Sequence, residues 1–298
     1  MNTQKATLAG LSAVFLWSSM VAVFRATAQS FGSTFGIALM YSLSAAVIAA
    51  MSGVPRVRAL PRAYLFVGGA LFAIGQMGLP FALAYATSNR QAIELGMVNY
   101  LWPGMTILFS LFFARQKANL ALIIPGMLIC LWGICLVLGG NAGLDVNSIV
   151  LNVMDHPFGY AVTLLGAVAW AGYCMVVIRF SNGTNALAWF FTAIAALSWV
   201  QYFMSATTQA VTVTLSGFLY LLTGAAVLAF GNTAWSIGMQ HGNVTILAAA
   251  SYFIPVFSAA IASVTLNTAL SFSFWQGAAL VCLGSILCYL AVRMKKNA

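Results

Sequence analysis

Charge is what this chain has least of. Only 5% of its 298 residues are charged, and three of them are acidic. A soluble domain carries roughly 25% charged residues, so an ordinary soluble fold is excluded. The two histidines, His156 and His241, stand far apart with no Cys or Glu cluster beside them, which argues against a metal site. None of the four lysines precedes Ser or Thr, so a Walker A loop is missing. A Gly-x-Ser-x-Gly nucleophile elbow is missing too, and no cofactor is expected. The five cysteines (Cys130, Cys135, Cys174, Cys282 and Cys288) lie inside apolar runs, odd in number and without a Cys-x-x-Cys pair. They exclude a closed disulfide framework and read as small packing residues. Without a nucleophile–base pair in mid-span, an intramembrane enzyme is also disfavoured.

What is present is apolar. Hydrophobic residues make up 62% of the chain and the mean hydropathy is +0.98. About 20 apolar residues cross a bilayer as a helix. Ten segments qualify: 6–25, 33–52, 63–86, 92–113, 120–139, 158–179, 185–205, 217–239, 243–264 and 273–292. The first has a superficial look of a signal peptide, with Ala26-Thr27-Ala28 at its end. Its run of about 19 residues exceeds a usual h-region of roughly 7–15, and Arg25 stands before the small residues, so a retained helix is expected. The net charge of +9 comes from basic residues scattered in ones, twos and threes. They form no stripe that could track a phosphate backbone, so nucleic acid is not a partner. With the N-terminus inside, 10 of the 12 basic residues fall on the inner face, among them Arg56, Arg58, Arg62, Arg115, Lys117 and Arg179. The positive-inside rule then places both termini in the cytoplasm.

The stretch from Glu94 to Phe113 is long enough to span, yet holds Asn99, Tyr100, Trp102 and Pro103 in its middle. A proline inside a helix frees the carbonyl four residues back. In hydrocarbon that carbonyl is tolerated only against protein or a wet cavity. The pattern predicts a broken helix lining something. It also recurs: Ser251-Tyr252-Phe253-Ile254-Pro255 repeats Asn99-Tyr100-Leu101-Trp102-Pro103 at 152 residues. Gly126 and Gly133 return as Gly277 and Gly284 at 151, and Trp17 as Trp170 at 153. The two copies lie five crossings apart and therefore run in opposite directions. An all-α polytopic membrane protein is expected, with ten transmembrane helices as two inverted-topology five-helix repeats around a central cavity. That is the architecture of secondary transporters. A channel is less suited to an aromatic-rich centre.

The ten-span layout resembles the drug/metabolite transporter superfamily. Gly96-Met97-Val98-Asn99-Tyr100-Leu101-Trp102-Pro103, Gln91-Ala92-Ile93-Glu94, His241-Gly242-Asn243-Val244-Thr245-Ile246 and Ser271-Phe272-Ser273-Phe274-Trp275-Gln276-Gly277 resemble, more narrowly, the YddG-type aromatic amino acid exporters. The resemblance implies EamA-like repeats over 1–140 and 158–298 joined by a periplasmic connection, 141–157. It also implies amino acid efflux across the bacterial inner membrane, with small-molecule amino acids and the lipid bilayer as partners and a monomer as the working unit. A multidrug or organic-cation exporter of the same superfamily is the alternative.

An aromatic amino acid needs apolar or aromatic walls with a few polar groups. The candidates are Trp17, Gln76, Tyr85, Asn99, Tyr100, Trp102, Trp170, Tyr173, Trp235, Ser251 and Tyr252. Each aromatic has the interfacial belt or plain packing as its other explanation. Gly96, Pro103, Gly104, Gly242 and Pro255 are candidate hinges, with close packing an equal account of the glycines. Glu94 is the one carboxylate near a predicted span and a candidate for coupling. Arg90, four residues earlier, is positioned simply to neutralise it.

Overall fold

The computed structural model describes residues 2–113, 119–139, 145–205, 214–242 and 244–296. Arg115, Lys117 and residues 141–144 of the expected connection lie outside them, as does Asn243. The described residues form helices and no strand. In chain order these are α1 (Thr3–Ser18), α2 (Met20–Phe31), α3 (Ser33–Ser52), α4 (Gly69–Ala84), α5 (Asn89–Asn99), α6 (Trp102–Phe113) and α7 (Leu120–Gly139). Then follow α8 (Val146–Asp155), α9 (Pro157–Phe180), α10 (Leu187–Met204), α11 (Leu215–His241), α12 (Val244–Ser251), α13 (Ile254–Thr265) and α14 (Phe272–Lys296).

Counting α4 together with the π-helical turn Tyr64–Gly68 that leads into it, seven of the described helices are long and apolar enough to cross a membrane, or eight if the bent pair α1–α2 counts as one. The remaining two expected segments, 92–113 and 243–264, are each split into two short helices. Large apolar side chains face outward as well as into the core. Phe66, Leu151, Phe203 and Val264 stand exposed, whereas Ser44, Gln76 and Asn232 are buried with hydrogen-bond partners. In hydrocarbon that arrangement is favourable, because polar groups need partners and apolar ones do not.

Each break has a local cause. Ser18 donates to the Val14 carbonyl at 2.8 Å and Ser19 to the Leu16 carbonyl at 2.7 Å. Such back-bonding bends helices, and α1 meets α2 at 45°. Pro103 and Pro255 are the second residues of α6 and α13. The sequence places them inside a continuous helix. In the fold they start a new one, where a missing N–H costs nothing, and the chain breaks at Tyr100–Leu101 and Tyr252–Phe253. Ser88 caps α5 by accepting from Gln91 N at 3.0 Å, while Gln91 accepts in return from Thr87 N at 2.8 Å.

Small residues set the packing. A Cβ on Gly126 would lie 2.8 Å from the Gly284 carbonyl, and one on Gly133 would lie 2.6 Å from that of Gly277. This close approach holds α7 against α14. In the same way Gly78 meets Gly166 between α4 and α9, and Gly238 meets Gly10 between α11 and α1. Interfaces of small residues are what membrane helices use in place of hydrophobic drive.

Candidate functional site

Three helix breaks converge on one cavity. Trp17 and Met20 flank the α1–α2 bend; Asn99, Tyr100 and Trp102 span the α5–α6 break; Ile254 opens α13. Gly75, Gln76, Leu79 and Pro80 of α4 and Trp170 of α9 complete the wall. The empty space, its open mouth included, is about 570 Å³. None of the described residues lining it is charged.

Three tryptophans, Trp17, Trp102 and Trp170, stand in the wall. Trp17 stands edge-on to Trp170 at 6.2 Å between ring centroids, and Trp170 to Trp102 at 6.3 Å. Trp235 closes a ring of four from behind, 6.4 Å from Trp102 and 5.1 Å from Trp17. Edge-to-face contact suits the aromatic quadrupole, so each ring holds its neighbour's angle. Tyr173 supports Trp170 at 5.4 Å and packs on Phe72 at 4.9 Å. Trp235 and Tyr173 therefore form a second layer rather than the lining itself.

The polar part of the wall depends on α4. Pro80 removes the N–H that would bind the Gln76 carbonyl. The Tyr41 hydroxyl, reaching over from α3, donates to that carbonyl at 2.7 Å. Gln76 in turn donates through Nε2 to Asn232 Oδ1 on α11 at 2.9 Å. The proline rule that pointed to the α5–α6 break applies equally to Pro80, so this feature was open to the same reading. Met20, Gly75 and Leu79 had no such signal, being apolar or small among many of their kind; Ile254 had one only as the repeat of Trp102.

Of the other candidates, Tyr85 is exposed beside Phe81. Ser251 and Tyr252 are buried but away from the lining, with Tyr252 beside Tyr289. Gly96 sits against Val21, where a Cβ would come within 2.6 Å. A Cβ on Gly242 would lie 3.0 Å from Thr7 N, whereas one on Gly104 would meet only Met127 Sδ, at 3.6 Å. Glu94 is fully engaged: Arg90 Nε donates to one carboxylate oxygen at 3.1 Å, and Asn152 Nδ2 and the Tyr160 hydroxyl donate to the other at 3.0 Å each. The carboxylate ties α5 to α8 and α9.

With that geometry in place, the similarity to known proteins is informative. Residues 157–290 match the EamA-like transporter family. The chain is 45% identical over 295 residues to the aromatic amino acid exporter YddG of Salmonella typhimurium, covering 99% of this chain and 100% of that one. The YddG protein of Escherichia coli is also 45% identical, over 98% and 99% of the two chains. The chain belongs to the YddG family. A more distant relative, YddG of Ancylobacter novellus, is 30% identical over 87% and 88%. A solved crystal structure shares the fold with a TM-score of 0.71 at 24% identity, covering 99% of this chain and 100% of that one. The YddG family and its EamA-like relatives are multi-span membrane transporters, not enzymes, and their substrates are small molecules.

Proposed function

We propose that this chain is a secondary transporter that exports aromatic and related neutral amino acids across the bacterial inner membrane by alternating access. The observation carrying this reading is an uncharged, tryptophan-walled cavity where three helix breaks meet, in a chain that matches relatives named aromatic amino acid exporters end to end. Indole walls match a flat apolar ring, and the amides of Gln76 and Asn99 offer the few polar contacts such a pocket needs. An organic cation would call for an unpaired carboxylate, and Glu94 already has three donors.

Ten spans arranged as two inverted five-helix repeats, 1–140 and 158–298, with both termini cytoplasmic, complete the proposal. Reciprocal contacts support it. Under the 151-residue offset Gly126 corresponds to Gly277 and Gly133 to Gly284; Gly126 touches Gly284 and Gly133 touches Gly277. A two-fold axis produces that pattern, in which residue i contacts j′ and j contacts i′. Likewise Gly231 lies against Trp17 and Gly75 against Trp170. The helices flanking the Pro103 and Pro255 breaks supply the elements that rock, with Gly96, Gly104 and Gly242 beside them, and the monomer is the transporting unit.

Trp102→Ala tests the site. In proteoliposomes it should lower uptake of labelled phenylalanine or tryptophan with the protein still expressed and monodisperse. Uptake equal to that of the parent chain would remove Trp102 from the site.

A further inference from the structure

The cavity binds an amino acid in the function proposed above, yet holds no carboxylate for the substrate ammonium. We infer that Gln76 Oε1 accepts a hydrogen bond from that ammonium, and that Asn232 is the positioning residue that turns Oε1 toward it. This inference rests on the proposed function and adds how one end of the zwitterion is recognised.

The argument follows the polarity of a hydrogen-bond chain. A backbone carbonyl only accepts. Asn232 Nδ2 lies 2.9 Å from the Leu228 carbonyl, so the Asn232 amide has one allowed orientation, nitrogen toward Leu228. Its Oδ1 then faces Gln76 and needs a donor, which fixes Gln76 with Nε2 toward Asn232 at 2.9 Å. Amide orientation is assigned from such networks, and here a backbone oxygen anchors it. The Gln76 backbone is held independently by Tyr41. What remains is Oε1, which makes no hydrogen bond among the described residues, on a side chain 7% exposed that lines the cavity.

A buried acceptor of fixed direction favours a donor and repels another acceptor. Of the two ends of a zwitterion it therefore selects the ammonium and turns the carboxylate away. Asn99, also in the wall, has no such anchor among the described residues, so its amide can turn toward the carboxylate. Asn232 does not line the cavity, so its effect on recognition passes through Gln76 alone.

The test compares phenylalanine with 3-phenylpropionate, which keeps the ring and carboxylate but lacks the ammonium. Both compete against labelled tryptophan in proteoliposomes containing the full chain. The ratio of their inhibition constants does not depend on how much protein is active. The parent chain should prefer phenylalanine, and Gln76→Leu should reduce that preference about tenfold, as expected for one hydrogen bond to a charged group. Asn232→Leu should do the same. Asn232→Asp should restore the preference, because a neutral carboxyl donates to Leu228 and accepts from Gln76 as the amide does. Where a variant gives no uptake, the same ratio is read from ligand-induced thermal stabilisation in detergent. An unchanged ratio in Gln76→Leu overturns the inference and leaves the transport reading standing. Failure of the parent chain to take up any labelled amino acid overturns both.

Discussion

The contact between α7 and α14 offers the sharpest test of how this fold is held. A Cβ placed on Gly277 would sit 2.5 Å from the Gly133 carbonyl oxygen and 2.9 Å from Val137 Cγ2, whereas ordinary contact begins near 3.4 Å. The oxygen is backbone and cannot rotate aside. Gly277→Ala must therefore push the two helices apart by about 0.9 Å. A gap of about that size forfeits a quarter to a half of the dispersion energy of each atom pair across it. In hydrocarbon nothing replaces it, since lipid tails already wet the outer faces equally well. Overpacking of this kind costs about 1–3 kcal/mol.

Gly104→Ala is the matched control. Its Cβ meets only Met127 Sδ at 3.6 Å, and an alanine inside α6 should gain helix propensity. In detergent, the fraction of monodisperse protein surviving a heating series should fall to a lower midpoint for Gly277→Ala and Gly133→Ala but not for Gly104→Ala. The double variant Gly133→Ala/Gly277→Ala should lose less than the two singles added together, because one separation accommodates both methyls. A Gly277→Ala protein that melts with the parent chain would refute the close-packing argument.

Two further outcomes follow from buried polar contacts. Tyr41→Phe strands the Gln76 carbonyl freed by Pro80, at a cost of about 1–3 kcal/mol; Pro80→Ala supplies a helical N–H to that carbonyl, so the double variant should recover most of the loss in a thermal-stability cycle. For Glu94, Gln keeps an acceptor for Asn152 and Tyr160 while Leu strands both donors, so Glu94→Leu should lose about 1–3 kcal/mol more than Glu94→Gln. Export driven by a pH gradient should survive Glu94→Gln; its loss without loss of stability would assign Glu94 to coupling.

The positions of the helices were readable because apolar run length is a strong signal in a chain this poor in charge. The α5–α6 break was readable through Pro103, though it falls at Tyr100–Leu101, since the proline serves the first turn of the next helix. The bend at Ser19 was not, because serines occur throughout the spans and bend a helix where their hydroxyls turn back on the chain, as those of Ser18 and Ser19 do here. Six candidates, Trp17, Gln76, Asn99, Tyr100, Trp102 and Trp170, meet in one wall. Tyr85 was an aromatic near a span end, and residue type alone does not separate the membrane belt from a pocket. Ile254 lies beside the break marked by Pro255, at the position that repeats Trp102, but an aliphatic residue there did not stand out as a wall residue.

The proposed symmetry of the scaffold and the asymmetry of the cavity have different causes. In the proposed repeat, Trp17 and Trp170 correspond, and both line the cavity. Trp102 corresponds to Ile254 at the 152-residue offset, so indole in one half faces an aliphatic side chain in the other. The offset of 156 that relates Gly75 to Gly231 relates Gln76 to Asn232 and Leu79 to Trp235 as well. Yet Gln76 and Leu79 reach the cavity, whereas Asn232 and Trp235 stand behind it. In the proposed repeat the glycine pairs stay alike in both halves. An amino acid has a ring, an ammonium and a carboxylate, so a wall with a true two-fold would hold it equally well in two opposed poses. Differences at Trp102/Ile254 and Leu79/Trp235, with one amide of a bonded pair turned inward, remove that degeneracy while the glycine contacts stay matched.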